Sequence, residues 1–181
     1  MATQVAAIPA RDNLGLALKA ALGLLVVVLV AVVAGTLREK VIETGDTAPA
    51  FSIKTDQGRE ISPTSFGGKL LVLNFWASWC QPCVEEVPSL NDFATKYAGQ
   101  GVVVVGVSID RNEKLYRDFI RRYKVPFQTA RDPDTNISGS YGTFKVPETY
   151  IIDRAGKVVQ KVVGPQNWSD PAYLNFFQTL L

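Results

Sequence analysis

The chain has 181 residues, enough for one ordinary domain and an appendage. Nineteen basic and 17 acidic side chains leave a net charge of +2, with no concentrated basic face of the kind nucleic acid requires. Histidine is absent and there are two cysteines, which removes most zinc and copper sites, Ser-His-Asp and Cys-His nucleophile systems and a multi-disulfide framework.

The first element is apolar. Residues 20–37 carry no charged side chain, and at 1.5 Å per residue they cover roughly 27 Å, close to a bilayer's hydrocarbon core. Leu14, Leu16, Ala17 and Leu18 extend the run, and Lys19 can snorkel to the headgroups. A single transmembrane anchor is expected over 14–37, after a short cytoplasmic tail, 1–13. The alternative is a signal peptide cleaved near Val32-Val33-Ala34, although the apolar run exceeds the usual length of a signal core. Arg11 and Lys19 before the helix nearly balance Arg38 and Lys40 after it, so charge does not set the orientation. The cysteine pair does, because its chemistry suits an oxidising space outside the cytoplasm. Either reading exports the rest of the chain.

Residues 38–45 read as linker and 46–181 as the folded domain. Phe51–Lys54 and Arg59–Ile61 flank the turn Asp56-Gln57-Gly58, a candidate hairpin. Leu70–Trp76 and Val102–Ile109 are short, nearly continuous apolar runs, as in strands buried on both faces. Between them a helix is predicted from Pro82 to about Tyr97, kinked at Pro88. Asn112 can cap a helix through Tyr123. The basic cluster there, Arg117, Arg121, Arg122 and Lys124, reads as a solvated face. Phe127–Ala130 is a short strand and Ile137–Tyr141 a brief helix. Thr149–Ile152 and Val158–Val163 form a second hairpin, and Ser169 or Asp170 caps a last helix. Strands alternating with helices imply an α/β domain with a central sheet and helices on both faces.

Cys80-Gln81-Pro82-Cys83 sits where a buried strand gives way to a helix. Unpaired N–H groups and the positive end of the dipole there stabilise a thiolate on Cys80. Pro82 suits the first turn, where its missing N–H costs no hydrogen bond. Cys83, one turn on and more buried, is placed to close a disulfide with Cys80. The spacing supports thiol–disulfide exchange. Cys80 attacks a substrate disulfide, a mixed disulfide forms, and Cys83 resolves it. The redox-active group is then the Cys80–Cys83 disulfide itself, with no other cofactor or metal.

The segment Asn74–Cys83 resembles the active-site stretch of the thioredoxin superfamily. Gly45–Phe51, Glu86-Val87-Pro88 and Val146-Pro147 narrow the resemblance to the membrane-anchored TlpA/ResA/CcmG group. That resemblance implies a thioredoxin-like fold with mixed sheet and an extra N-terminal hairpin. It implies an extracytoplasmic, periplasm-facing thiol reductase acting on protein disulfides, with a membrane thiol as electron donor. Substrates in the group include haem-site cysteines of apocytochromes c and copper-site cysteines of oxidases. Pro147 would be the cis-proline that turns the Val146 backbone toward Cys80, and Val146, Pro147, Trp79 and Pro82 would meet the substrate. Glu86 would accept or relay the proton of Cys83, against the alternative of a surface carboxylate like Glu85. Asn74 departs from thioredoxin, which has an aspartate there, so proton handling falls to Glu86, water or the substrate. Glu148 is expected either to tune substrate choice or to face solvent, and Trp76 to lie in the core.

Two rivals remain. A peroxiredoxin-like thiol peroxidase shares the fold but wants a hydroxyl residue three positions before its nucleophile, where Ala77 stands. A non-catalytic copper chaperone spaces its cysteines more widely and adds a histidine.

Overall fold

The structure, a computed structural model, describes residues 13–36 and 41–181. The expected tail as far as residue 12, and linker residues 38–40, lie outside the described residues. The chain divides into two units, 1–39 and 40–181. In the first, α1 runs Asn13–Thr36, and the stretch Gly15–Val33 is long and apolar enough to cross a membrane. Its apolar side chains from Leu16 to Val33 are exposed.

The second unit is thioredoxin-like. A two-stranded antiparallel ribbon, β1 (Ile53–Lys54) and β2 (Glu60–Ile61), matches the expected hairpin, with Ile53 opposite Ile61. A 3₁₀ turn, Pro63–Phe66, leads into β3 (Leu70–Trp76), α2 (Gln81–Tyr97), β4 (Val102–Ser108) and α3 (Glu113–Tyr123). Then follow β5 (Gln128–Arg131), α4 (Asn136–Ser140), β6 (Glu148–Ile152), β7 (Val158–Val163) and α5 (Pro171–Leu180). The main sheet has the order β5-β4-β3-β6-β7. β3, β4 and β5 are parallel, while β6 runs antiparallel to both β3 and β7.

Every residue of β3 is buried, which its unbroken apolar run required. Even-numbered positions from Leu70 face α2, α3 and α5, where Leu70 and Val72 meet Leu90, Phe93 and Phe177 and Trp76 meets Phe119. Odd-numbered Leu71, Leu73 and Phe75 pack on the other side with Tyr141, Ile61 and Phe51. The central strand thus holds both layers together. Gly106 of β4 serves this packing. A Cβ there would stand 2.9 Å from Trp76 Nε1 and 3.1 Å from Phe127, so the indole can cross β4 only because the strand is bare.

Several boundaries differ from expectation. The predicted linker is already part of the domain from Ile42, which is 2% exposed in the core. Its N–H bonds the Tyr141 carbonyl at 3.1 Å, and Gly45 N–H bonds Val158 O at 2.7 Å. Breakers such as Gly45 and Asp46 mark turns against a sheet edge as readily as they mark a linker. This segment pairs with the start of β7 at Val158, while Thr55 bridges Ala130 of β5, so each outer strand is capped over part of its edge. β5 is displaced by one residue, to Gln128–Arg131. α2 runs through Pro88 as one element, as expected, and starts at Gln81. The basic cluster of α3 is offset by Glu113 and Asp118, which pair with Arg117, Lys114 and Arg121.

Candidate active site

Cys80 is the N-cap of α2. The cap position leaves the first helical N–H groups unpaired, and here the Cys83 N–H points at Cys80 Sγ, 3.2 Å away. The sulfur therefore takes the place that a Ser or Asp oxygen holds in an ordinary cap. A negative charge on it is favoured by that donor and by the helix dipole. Cys80 and Cys83 are joined as a disulfide with a Cα–Cα distance of 5.3 Å. Both are buried, Cys83 the more so at 2% against 5%.

The Val146–Pro147 peptide is cis. It brings the Val146 carbonyl to 3.4 Å from Cys80 Sγ; in the disulfide no proton lies between them, so this is a contact. Trp79 is 67% exposed beside the sulfur, Pro82 is exposed and Val146 half-buried, whereas Trp76 is in the core as expected. The geometry thus gathers Trp79, Cys80, Pro82, Val146 and Pro147 into one neighbourhood.

Glu86 is buried at 3%, unlike its exposed neighbour Glu85. Oε1 accepts from Asn74 Nδ2 at 3.0 Å and Oε2 from the Gln166 N–H at 3.2 Å. Asn74 also donates to Thr149 Oγ1 at 2.9 Å, across the β3–β6 ladder. Loss of water pushes the Glu86 carboxyl up to about 7, against the opposing pull of Trp168, Gln166 and Asn74. Cys83, Glu86, Asn74, Trp76 and Pro147 line a cavity of about 10 Å³, room for at most about one water molecule. Asn74, where thioredoxin has its aspartate, is thus the group that orients the glutamate.

Glu148 does not face solvent. It is 4% exposed, and Lys161 Nζ lies 3.2 Å from both its Oε1 and that of Glu43. A carboxylate enters this core position because an ammonium two strand positions from the end of β7 comes with it.

Three site features escaped the sequence reading. Asp110, 2% exposed just past β4, accepts from Ser78 N–H and Ser78 Oγ at 2.8 Å each and from Ser108 Oγ at 2.7 Å. It ties the turn before Cys80 to the end of β4. The available signal was an acidic residue directly after the carboxyl end of a buried strand. Trp168, fully buried, packs on Phe93 and Tyr173 and brings its indole N–H beside Glu86. Phe144 is 68% exposed, two residues before Val146. Among the described residues no group of three or more Cys, Asp or Glu side chains is arranged to hold a metal.

Known proteins resemble this chain in sequence and fold. The AhpC/TSA family profile matches residues 44–161. A thiol-disulfide oxidoreductase ResA of Bacillus cereus is 35% identical over 125 residues, 69% of this chain and 72% of that protein. ResA of Bacillus subtilis is 32% identical over 123 residues, 68% and 69% of the two chains. A crystal structure from Chlorobium tepidum, described as a thiol:disulfide interchange protein DsbE, superposes with a TM-score of 0.71 at 30% identity. It covers 78% of this chain and 99% of its own.

Proposed function

The chain belongs to the AhpC/TSA family and is a thiol–disulfide oxidoreductase, and from that membership we propose that it is an extracytoplasmic reductase of protein disulfides. The observation that carries this reading is the cap geometry, in which Cys80 Sγ receives the Cys83 N–H at the helix start and lies 3.4 Å from the Val146 carbonyl. Helix α1 anchors the domain, residues 1–13 stay in the cytoplasm, and the cysteine pair works on the far side of the membrane. Substrates are oxidised cysteine pairs, such as those at haem-attachment or copper sites of respiratory proteins. A membrane thiol protein supplies the electrons.

The cycle balances as follows. A donor dithiol reduces the Cys80–Cys83 disulfide, passing it two electrons and becoming a disulfide itself. Cys80 thiolate then attacks one sulfur of a substrate disulfide; a Cys80–substrate bond forms and the other substrate sulfur leaves as thiolate. Val146 offers its backbone to an extended substrate strand, and the exposed face of Trp79 and Pro82 supplies apolar contact. Cys83 gives its proton to the Glu86 carboxylate and attacks Cys80 Sγ. The Cys80–Cys83 bond re-forms as the Cys80–substrate bond breaks, and the substrate sulfur that Cys80 held departs as thiolate and takes up a proton. Ala77, fully buried before the pair, offers no hydroxyl for peroxide chemistry.

Cys80→Ser should abolish reduction of insulin disulfides, while Cys83→Ser should accumulate a mixed disulfide with its partner in cells. Mass spectrometry of that adduct identifies the substrate. Normal turnover by Cys83→Ser would contradict the two-step scheme, and adducts formed only with cytoplasmic proteins would contradict the location.

A further inference from the structure

The loop between β7 and α5 is fastened to the redox site at several points. Gly164 N–H bonds the Pro147 carbonyl at 2.9 Å, and Gln166 N–H bonds Glu86 Oε2 at 3.2 Å. Trp168 N–H bonds Ser89 Oγ at 3.2 Å, on the same helix as Glu86. The indole is then clamped by rings from two helices. Phe93 of α2 lies 5.6 Å away by centroids and Tyr173 of α5 5.4 Å. Packing on this scale leaves the ring little freedom, yet its Nε1–H is buried with no hydrogen bond of normal geometry, although it lies beside the Glu86 carboxyl. A buried donor left unpaired costs about 1–3 kcal/mol, and native structures seldom leave one without a reason.

We propose that Trp168 is a positioning residue for the thiol chemistry, its indole N–H being a third donor held ready for the Glu86 carboxylate. The carboxylate has acceptor sites for about four donors; the neutral acid gives up part of that capacity to its own proton. Asn74 and Gln166 already occupy one site on each oxygen. When Glu86 is neutral its remaining acceptor site is a weaker partner for the indole. When it is ionised the indole gains a charge-assisted bond, which opposes the desolvation that disfavours the charge. The inference rests on the reading of Glu86 as the acceptor of the Cys83 proton. That role needs the carboxylate to exist before the resolving step, in a site where burial alone would suppress it. The other groups facing Glu86 are Cys83 on its own helix, Asn74 on β3, and the Tyr173 phenol on α5, whose own ionisation the Glu86 charge opposes.

The test is a pH titration of the ¹³C,¹⁵N-labelled protein in its oxidised form, following the Trp168 indole N–H and the Glu86 carboxyl carbon together. Both should move with one midpoint, and in Glu86→Gln the indole resonance should stay still. Trp168→Phe, which keeps an aromatic ring and removes the donor, should raise the Glu86 midpoint by roughly half a pH unit to one pH unit. The pH profile for alkylation of Cys83 in the reduced protein should rise by the same amount. An indole resonance that stays still while Glu86 titrates, or that titrates unchanged in Glu86→Gln, overturns the role of Trp168 and leaves that of Glu86 standing. A Cys83 alkylation profile unaffected by Glu86→Gln removes the reading of Glu86 itself, and with it the inference.

Discussion

Asp110 and Glu86 are buried alike, 2% and 3% exposed, yet their oxygens are served differently. Asp110 lies in the loop after β4 and receives three donors, from Ser78 N–H, Ser78 Oγ and Ser108 Oγ. Two of these come from the turn that delivers Cys80, so this carboxylate works as a fastener. Glu86 sits one helical turn beyond Cys83, receives two closed hydrogen bonds, and shares a cavity with that cysteine. Its carboxyl stays protonated up to about 7. Equal burial therefore serves different ends: the donors around Asp110 fasten the turn before Cys80, while burial raises the Glu86 carboxyl so that it can exchange a proton near neutral pH.

The largest test of the contrast is Asp110→Ala. It strands three donors at the base of the Cys80 turn and should lower unfolding free energy by about 4 kcal/mol in urea melts. A loss under about 1 kcal/mol would mean the fastening is incidental.

The second test uses pH. The folded-state value of Glu86, about 7, lies above its ordinary value of 4.5. The folded protein thus holds a proton that the unfolded chain has already released between those two values. Stability contributed by this group is full below pH 4.5, falls as pH rises toward 7 and is flat beyond, a loss on the order of 3 kcal/mol. Urea melts of the oxidised protein from about pH 4.5 to 8 should show that slope, and Glu86→Gln should flatten it. A rise over the same interval that Glu86→Gln removes would reverse the assignment.

The smallest effect is expected from Ser78→Ala, which deletes one of the three donors to Asp110 and leaves the backbone N–H in place. It should cost about 1 kcal/mol. A cost equal to that of Asp110→Ala would show that the hydroxyl, not the carboxylate, holds the turn.

What could be read along the chain was what local pattern encodes. β3 and β4 announced themselves as apolar runs bounded by Gly67-Gly68 and Asp110, and the Cys80–Cys83 spacing named its own chemistry. The motif at Val146-Pro147 led to the carbonyl that stands beside Cys80. What could not be read were partners brought together by the sheet. Ser78 and Asp110 are 32 residues apart, and Glu86 and Gln166 are 80. Periodicity reports which face a side chain takes, not which residue meets it across a ladder. Glu148 stayed open between two roles for the same reason. A carboxylate argues for solvent unless its counter-ion is known, and Lys161 arrives from the neighbouring strand. Ile42 was missed because turn-forming neighbours look alike whether a segment hangs free or lies along β7.

Cys80, as the N-cap of α2, should be held as a thiolate in the reduced protein by the Cys83 N–H and the helix dipole. The direct measurement is the pH dependence of Cys80 alkylation by iodoacetamide in the reduced soluble domain, read by mass spectrometry so that Cys83 is resolved separately. Cys80 should reach half its maximal rate at a pH below the roughly 8.5 of an ordinary thiol, and should react ahead of Cys83 at neutral pH. A Cys80 profile centred at or above that value, with Cys83 reacting first, would contradict the account.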